Sequence, residues 1–242
     1  MRGAGGLGRG RIHAGVPFTE IRSMDKFTKD RFTKSAKGKT PMPPTPETVL
    51  HRLRTDVPAE HVAPAPPRLP EFSGRYRLRA ATPTDAPLIA DWMNRPHLAE
   101  TWEQAWSVER WHEDLRARLA GTYSLPVILS VTDHDPAEVG YLEVYYPARD
   151  DISYCIDCSP RDLGLHFAVG LEELTGRGFF RPFFDALPQA LLRANPTAPR
   201  VIAEPDHRNA RVHSMLRKSG WEDLGEFQHR PDRRVRIFQV RA

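Results

Sequence analysis

LGLHFAVGLEELTGRGFFRPFFDALPQALLR, residues 163 to 193, decides how this chain folds. Leu163-Gly-Leu-His-Phe-Ala-Val169 is a short apolar run closed by Gly170, the pattern of a buried strand. Gly176-Arg177-Gly178 then leads into Phe179 to Arg193, whose apolar residues recur at helical spacing. The order is strand, tight turn, helix. Glycine lets a backbone adopt positive φ and lets a ligand come close. The first turn of a helix adds unpaired N–H donors at the positive end of its dipole. Together these predict a cradle of backbone donors for a pyrophosphate, with an ordinary turn as the alternative.

Downstream, Arg200-Val-Ile-Ala-Glu204 is a second short strand, followed by Pro205-Asp-His-Arg-Asn209 and a helix from Ala210 to Gly220. Asn209 directly precedes the apolar set Val212, Met215 and Leu216, the position of a helix cap. This order resembles the acyl-CoA-binding half of the GNAT N-acyltransferases. Their Gln/Arg-x-x-Gly-x-Gly/Ala signature reads here Glu173-Leu-Thr-Gly176-Arg-Gly178, departing at the first position.

Upstream, Tyr76-Arg-Leu-Arg79 is a short alternating strand. Thr84 or Asp85 caps a helix carrying Leu88, Ile89, Trp92 and Met93, and Asn94-Arg-Pro96 is expected to stop it. A loop with Trp102 and Trp106 follows, then a helix capped by Ser107 and ending at Gly121. Leu125 to Val131 and Val139 to Tyr146 read as antiparallel strands, and Trp221 to Gly225 with Arg234 to Val240 as two closing strands. The period of two sets Glu143 on one face with Tyr141 and Tyr145, and His166 among Gly164 and Ala168. About seven strands and about four helices result, an α+β class with a mixed, mostly antiparallel, GNAT-like sheet.

The 242 residues suit one domain with an appendage. Lys+Arg number 35 against 31 Asp+Glu, but residues 1–40 hold ten against three, leaving 25 against 28 over the rest, a balance of −3. Basicity belongs to the tail, so the globular part lacks a nucleic-acid footprint. The tail is expected to be disordered, with Met24 an alternative start, and the nine prolines between Pro41 and Pro70 predict a linker wrapping the domain. Thus residues 1–70 read as tail and linker, dispensable for folding and activity, and residues 71–242 as the catalytic domain. No apolar run has transmembrane length and no signal-peptide core is present, so a cytoplasmic protein is expected. Cys155 and Cys158 stand alone, without the further ligands zinc requires, and are read as incidental; no metal is expected.

Five separated stretches narrow the resemblance: Trp92-Met-Asn-Arg-Pro-His97, Gly121-Thr-Tyr-Ser-Leu-Pro126, Gly140-Tyr-Leu-Glu-Val-Tyr145, Asp162-Leu-Gly-Leu-His166 and Glu204-Pro-Asp-His-Arg-Asn209. Together they are similar to the siderophore-biosynthesis acyltransferases of the mycobactin-type lysine N-acyltransferase kind. The resemblance implies acyl transfer from acyl-CoA, or an acyl carrier protein, to the side-chain amine of lysine or N6-hydroxylysine. It implies His166 as acceptor-binding and catalytic, Asp206 as general base, and Glu143, Tyr145 and Trp102 around the acceptor. It places the CoA co-substrate on Leu165, Phe167, Gly176, Arg177, Gly178, Phe179 and Asn209, with no permanently bound cofactor. A monomer is expected. Trp102, Trp106, Tyr141 and Tyr145 are candidates for an aromatic pocket, or for ordinary core. The competing functions are acetylation of another polyamine or an aminoglycoside, and a CoA-fold module without catalysis.

Overall fold

Alternating apolar residues build one seven-stranded sheet: β1 (Tyr76–Ala80), β2 (Ser124–Val131), β3 (Glu138–Tyr145), β4 (Leu163–Val169), β5 (Arg200–Ala203), β6 (Glu222–Arg230) and β7 (Arg233–Arg241). Their spatial order is β1-β2-β3-β4-β5-β7-β6, and every neighbouring pair is antiparallel except β4 with β5. Among the described residues five helices accompany it: α1 (Ala86–Met93), α2 (Pro96–Trp102), α3 (Val108–Ala120), α4 (Arg181–Ala194) and α5 (Ala210–Lys218). The computed structural model describes residues 49–72 and 74–242, which fall within one compact unit. The readings of residues 1–40 and of Met24 lie outside these residues.

The period of two holds. Leu142 and Val144 of β3, with Leu165 of β4, pack against Phe183, Leu187 and Leu191 of α4 on one face. Tyr141 packs with Ile89, Trp92, Trp111 and Leu115 of α1 and α3 on the other. Asn209 caps α5 as expected, its side chain accepting from the Val212 N–H at 3.2 Å, and Ser107 caps α3.

Two expectations are corrected. The first helix stops at Met93, ahead of Asn94-Arg-Pro96 as expected, but Pro96 then opens α2 where a loop was expected; its missing N–H costs nothing at that position, and Arg95 before it takes the extended conformation that a following proline favours. Among the described residues the helix count is therefore five, and the loop expected to carry Trp102 is helical up to that residue. Secondly, the stretch expected to be linker is packed on the domain from its first described residue. Val49 and Leu50 are buried with Tyr145, Ile152, Ile202, Val235 and Ile237. The Arg54 N–H donates to the Arg149 carbonyl, and the Asp151 N–H to that of Arg52. Residue 70 therefore does not mark the edge of the packed unit. Composition alone suggested a linker, and the apolar trio Val49, Leu50 and Leu53 overrides it.

Two features position the site. Gly176 and Gly178 both have φ +72°, the region that favours glycine, and α4 begins at Arg181 just beyond them. The parallel strands β4 and β5 pair only at Leu163↔Val201 and Gly164↔Ile202, after which they diverge.

Candidate active site

The divergence opens a cleft of about 810 Å³, open mouth included, lined on the β4 side by Leu165, His166 and Phe167 and on the β5 side by Ala203, Glu204, Pro205 and Asp206. Trp102, Gln104, Arg233, Asn209 and Arg52 also line it. Backbone groups face it too. Antiparallel ladders bond at alternate residues, and the Gly170 N–H to Val139 carbonyl bond fixes the phase between β3 and β4. His166 and Ala168 therefore bond to β3, while odd-numbered residues turn towards β5. Beyond Gly164 that partner has gone, so the Leu165 carbonyl and the Phe167 N–H and carbonyl face the cleft.

His166 is the hub. It stands directly across the ladder from Glu143. Its Nδ1 lies 2.9 Å from Glu143 Oε2 and its Nε2 2.5 Å from Glu204 Oε1. The ring stacks on Tyr145 at 4.5 Å and meets Trp102 edge-on at 6.0 Å. Gly164 makes this stack possible, because a Cβ there would overlap the Tyr145 ring. An aromatic ring thus fills the space beside the histidine.

The two carboxylates are themselves held. The Tyr141 hydroxyl donates to Glu143 at 3.0 Å, and Arg118 pairs with it at 3.1 Å while bonding Asp114 at 2.6 Å. The Tyr145 hydroxyl donates to Glu204 Oε1 at 2.5 Å, and Arg52 Nη2 at 3.0 Å. Arg52 also contacts Asp150, Asp151 and His166 Nε2, at 3.2, 3.2 and 3.1 Å.

Electrostatics follow from this network. Burial disfavours the Glu143 anion, but Arg118 and His166 outweigh it and bring its pKa down to about 2. Burial likewise opposes the Glu204 anion, and His166, Arg52 and the Tyr145 hydroxyl bring it to about 2. Burial opposes the imidazolium of His166, yet the adjoining Glu204 and Glu143 raise its pKa. The geometry fits the imidazolium, which donates to both glutamates; the neutral ring would donate from Nδ1 to Glu143 and accept from Arg52 at Nε2 only once Glu204 Oε1 moves away from that nitrogen. Burial raises Asp150 to about 6 against the pull of Arg52.

The structure gathers His166, Leu165, Phe167, Trp102, Asp206 and Asn209 around one cleft and sets Glu143 and Tyr145 behind His166, both buried. Gly176, Arg177, Gly178 and Phe179 form the turn ahead of α4 and are not cleft lining; the Phe179 ring lies against Arg75 and its carbonyl accepts from the Tyr76 hydroxyl. The aromatic pocket is corrected: among the four candidates only Trp102 lines the cleft. Tyr141 and Tyr145 are core residues that hold carboxylates, and Trp106 packs on Trp111. Asp206 lines the cleft, but Oδ1 accepts from the Arg208 N–H and Nε, both at 2.9 Å, and Oδ2 from Nη2 at 3.1 Å. Those bonds hold its pKa below the usual carboxylate range. Arg52 and Glu204 were missed as site residues. For Glu204 a signal existed: the β5 period puts it on the same face as Ile202, which packs with Tyr145. Cys155 and Cys158 are free, and burial pushes the Cys158 thiol up to about 12.

Residues 81–229 match the model of the acetyltransferase (GNAT) domain. The chain belongs to the GNAT acetyltransferase family. It is 39% identical over 193 residues to lysine N-acyltransferase MbtK of Mycobacterium tuberculosis, covering 80% of this chain and 90% of that protein. It is 29% identical over 172 residues to the N(6)-hydroxylysine O-acetyltransferase of Escherichia coli, covering 71% of this chain and 53% of that protein. The fold is shared with aminoglycoside acetyltransferase AAC(6')-Ib, solved in complex with coenzyme A, at a TM-score of 0.60 and 21% identity over 69% of this chain and 94% of that one. Among the described residues no helix is long and apolar enough to cross a membrane.

Proposed function

We propose that this acyltransferase moves an acyl group from acyl-CoA to the side-chain amine of lysine in siderophore biosynthesis. The observation that carries the proposal is the His166–Glu204 pair at the cleft where β4 leaves β5, beside strand backbone with no partner. The similarity to MbtK proteins supports the acceptor. The likeness to aminoglycoside enzymes, at 21% identity, extends to the fold alone. A buried charge network around one histidine at the cleft argues against a non-catalytic module.

The pantetheine arm lies along β4, its amides meeting the Leu165 carbonyl and Phe167 backbone, and its pyrophosphate sits on the turn Gly176-Arg177-Gly178 ahead of α4. An acyl carrier protein presents the same arm to the same edge. A lysine side chain has a reference pKa near 10.4, so it arrives as an ammonium and must lose a proton before it attacks. Glu204 draws the ammonium to the cleft. An added positive charge beside His166 favours its neutral form, its proton passing to solvent, and the Glu204–His166 pair then takes the ammonium proton. The amine nitrogen bonds to the thioester carbon, the C–S bond breaks, and the leaving thiolate takes up the second proton that the nitrogen sheds on becoming an amide. This assigns the base to Glu204 with His166, and makes Asp206 the residue that closes the turn into α5.

Assay by mass spectrometry with acetyl-CoA and palmitoyl-CoA against lysine, N6-hydroxylysine and kanamycin tests the proposal. Acylated lysine or hydroxylysine without acylated kanamycin is expected; the reverse pattern overturns it.

Gly178→Val is expected to abolish measurable CoA binding by calorimetric titration while leaving the circular dichroism spectrum near that of wild type. No atom lies within 4 Å of the added Cβ, so packing is spared, but a branched side chain at φ +72° forces the turn out of shape. Unchanged affinity would place the pyrophosphate elsewhere.

The pH profile carries a sign. The reaction needs neutral His166, whose pKa is raised above 6.5, so kcat/KM should climb with pH through a limb above 6.5. Glu143→Gln removes one of the two anions that raise it, and the limb should move to lower pH. A limb that stays in place would detach His166 from the proton transfer.

A further inference from the structure

Three side chains that line the cleft each carry a buried polar atom without a hydrogen-bond partner among the described residues: Glu204 Oε2, Gln104 Oε1 and Arg233 Nε. Gln104 is 5% exposed, and the Arg233 side chain 13%. Buried polar groups are almost always bonded, and an orphan is a place where something polar is missing. Here two acceptors and one donor remain unmet around one cavity.

Their placement in the chain is informative. Gln104 follows Glu103, which ends α2 in the left-handed conformation at φ +57°, uncommon for a residue with a side chain. The Glu103 carboxylate accepts from Arg233 Nη1 at 2.7 Å and from Arg230. Glu103 thereby ties the segment after α2 to the hairpin of β6 and β7 and brings Gln104 into the same wall as Arg233. It also occupies one edge of the Arg233 guanidinium and leaves Nε unpaired. Glu204, at the end of β5, belongs to the His166 pair.

We propose that Gln104 and Arg233 seat the α-ammonium and α-carboxylate of a free diamino acid whose side-chain amine reaches Glu204. The inference rests on the reading of the site given above and deepens it: an acceptor for Gln104, a donor for Arg233 and an acceptor for Glu204 are the complements of the three charged groups of lysine. Forming the seat requires each of the three side chains to turn its shielded atom to the ligand. The seat requires an ionised carboxylate, so acylation precedes any step that activates the carboxyl group of the acceptor as an ester, thioester or amide.

The test compares lysine with lysinamide, which lacks the carboxylate charge, and with cadaverine, which lacks the carboxyl group, at saturating acetyl-CoA and at a pH low enough to keep the lysinamide α-amine protonated. Wild type should show a KM for both analogues about 10- to 100-fold above that for lysine, the scale on which losing a hydrogen bond to a charged group weakens binding. Arg233→Gln should raise the lysine KM to the lysinamide value, leave the lysinamide KM in place and change kcat little. Equal KM for lysine and lysinamide in wild type, or a preference that survives Arg233→Gln, overturns the seat and leaves lysine acylation standing. Absence of transfer to all three acceptors, with CoA still bound, counts against the underlying function and removes the seat with it. If Arg233→Gln does not fold, the wild-type comparison decides alone.

Discussion

Glu204→Gln is expected to lower kcat for lysine by about 10²- to 10⁴-fold at neutral pH, the usual contribution of a positioned acid or base, with CoA affinity nearly unchanged. The substitution keeps the size of the side chain and its contact with Tyr145 but removes the anion that His166 and Arg52 face. Asp206→Asn should cost less than about tenfold, because its carboxylate is committed to the backbone and side chain of Arg208 in the turn ahead of α5. A hydroxylamine acceptor discriminates chemistry from structure. It arrives largely neutral at pH 7, so Glu204→Gln should lose less with N6-hydroxylysine than with lysine, whereas a merely distorted site would lose equally with both. Near-normal kcat in Glu204→Gln together with a large loss in Asp206→Asn would return the base to Asp206.

The contrast between these carboxylates shows what a sequence yields and what it withholds. Alternation in β3 and β4 placed Glu143 beside the tyrosines and His166 among small residues, and the sheet pairs Glu143 directly with His166. The two glycines ahead of α4 and the Asn209 cap follow from local backbone chemistry, and both stand where expected. Glu204 and Asp206 share one motif, and the choice between them depends on geometry at the end of β5. There Glu204 still follows the strand's alternation, while Asp206 lies beyond Pro205 in a turn closed by its own Arg208. Arg52 was beyond reach in a different way. It lies 114 residues from His166 in a stretch whose prolines indicate extended chain, and nothing local to it reports that Val49 and Leu50 dock beside Tyr145. The fifth helix was hidden by a rule applied at the wrong end, since proline stops a helix from within but starts one at its first position.

Arg52 gives the other large effect. A chain beginning after residue 70, which composition alone marks as complete, is expected to lose acyl transfer by at least about 10²-fold and to melt well below the full-length chain. It lacks Val49 and Leu50, whose burial contributes roughly 1.5–3 kcal/mol each, and the guanidinium that faces Asp150, Asp151 and Glu204. Arg52→Ala isolates the electrostatic part. Removing one partner of a buried ion pair typically costs about 3–5 kcal/mol, because the remaining charge is left uncompensated. The sign of its pH dependence is fixed by Asp150. Burial already raises that carboxyl to about 6, so it binds its proton more tightly folded than unfolded, and the stability it supports falls as pH rises. Without Arg52 the pKa rises further. The difference in melting temperature between wild type and Arg52→Ala should therefore widen from pH 5 to pH 8. A chain starting at Pro43, where the compact unit begins, retains Arg52 and is the control for truncation itself. Melting curves of Arg52→Ala parallel to wild type across that pH range, or full activity in the chain that starts after residue 70, would mean that the strap merely covers the domain and that the His166–Glu204 pair is set without it.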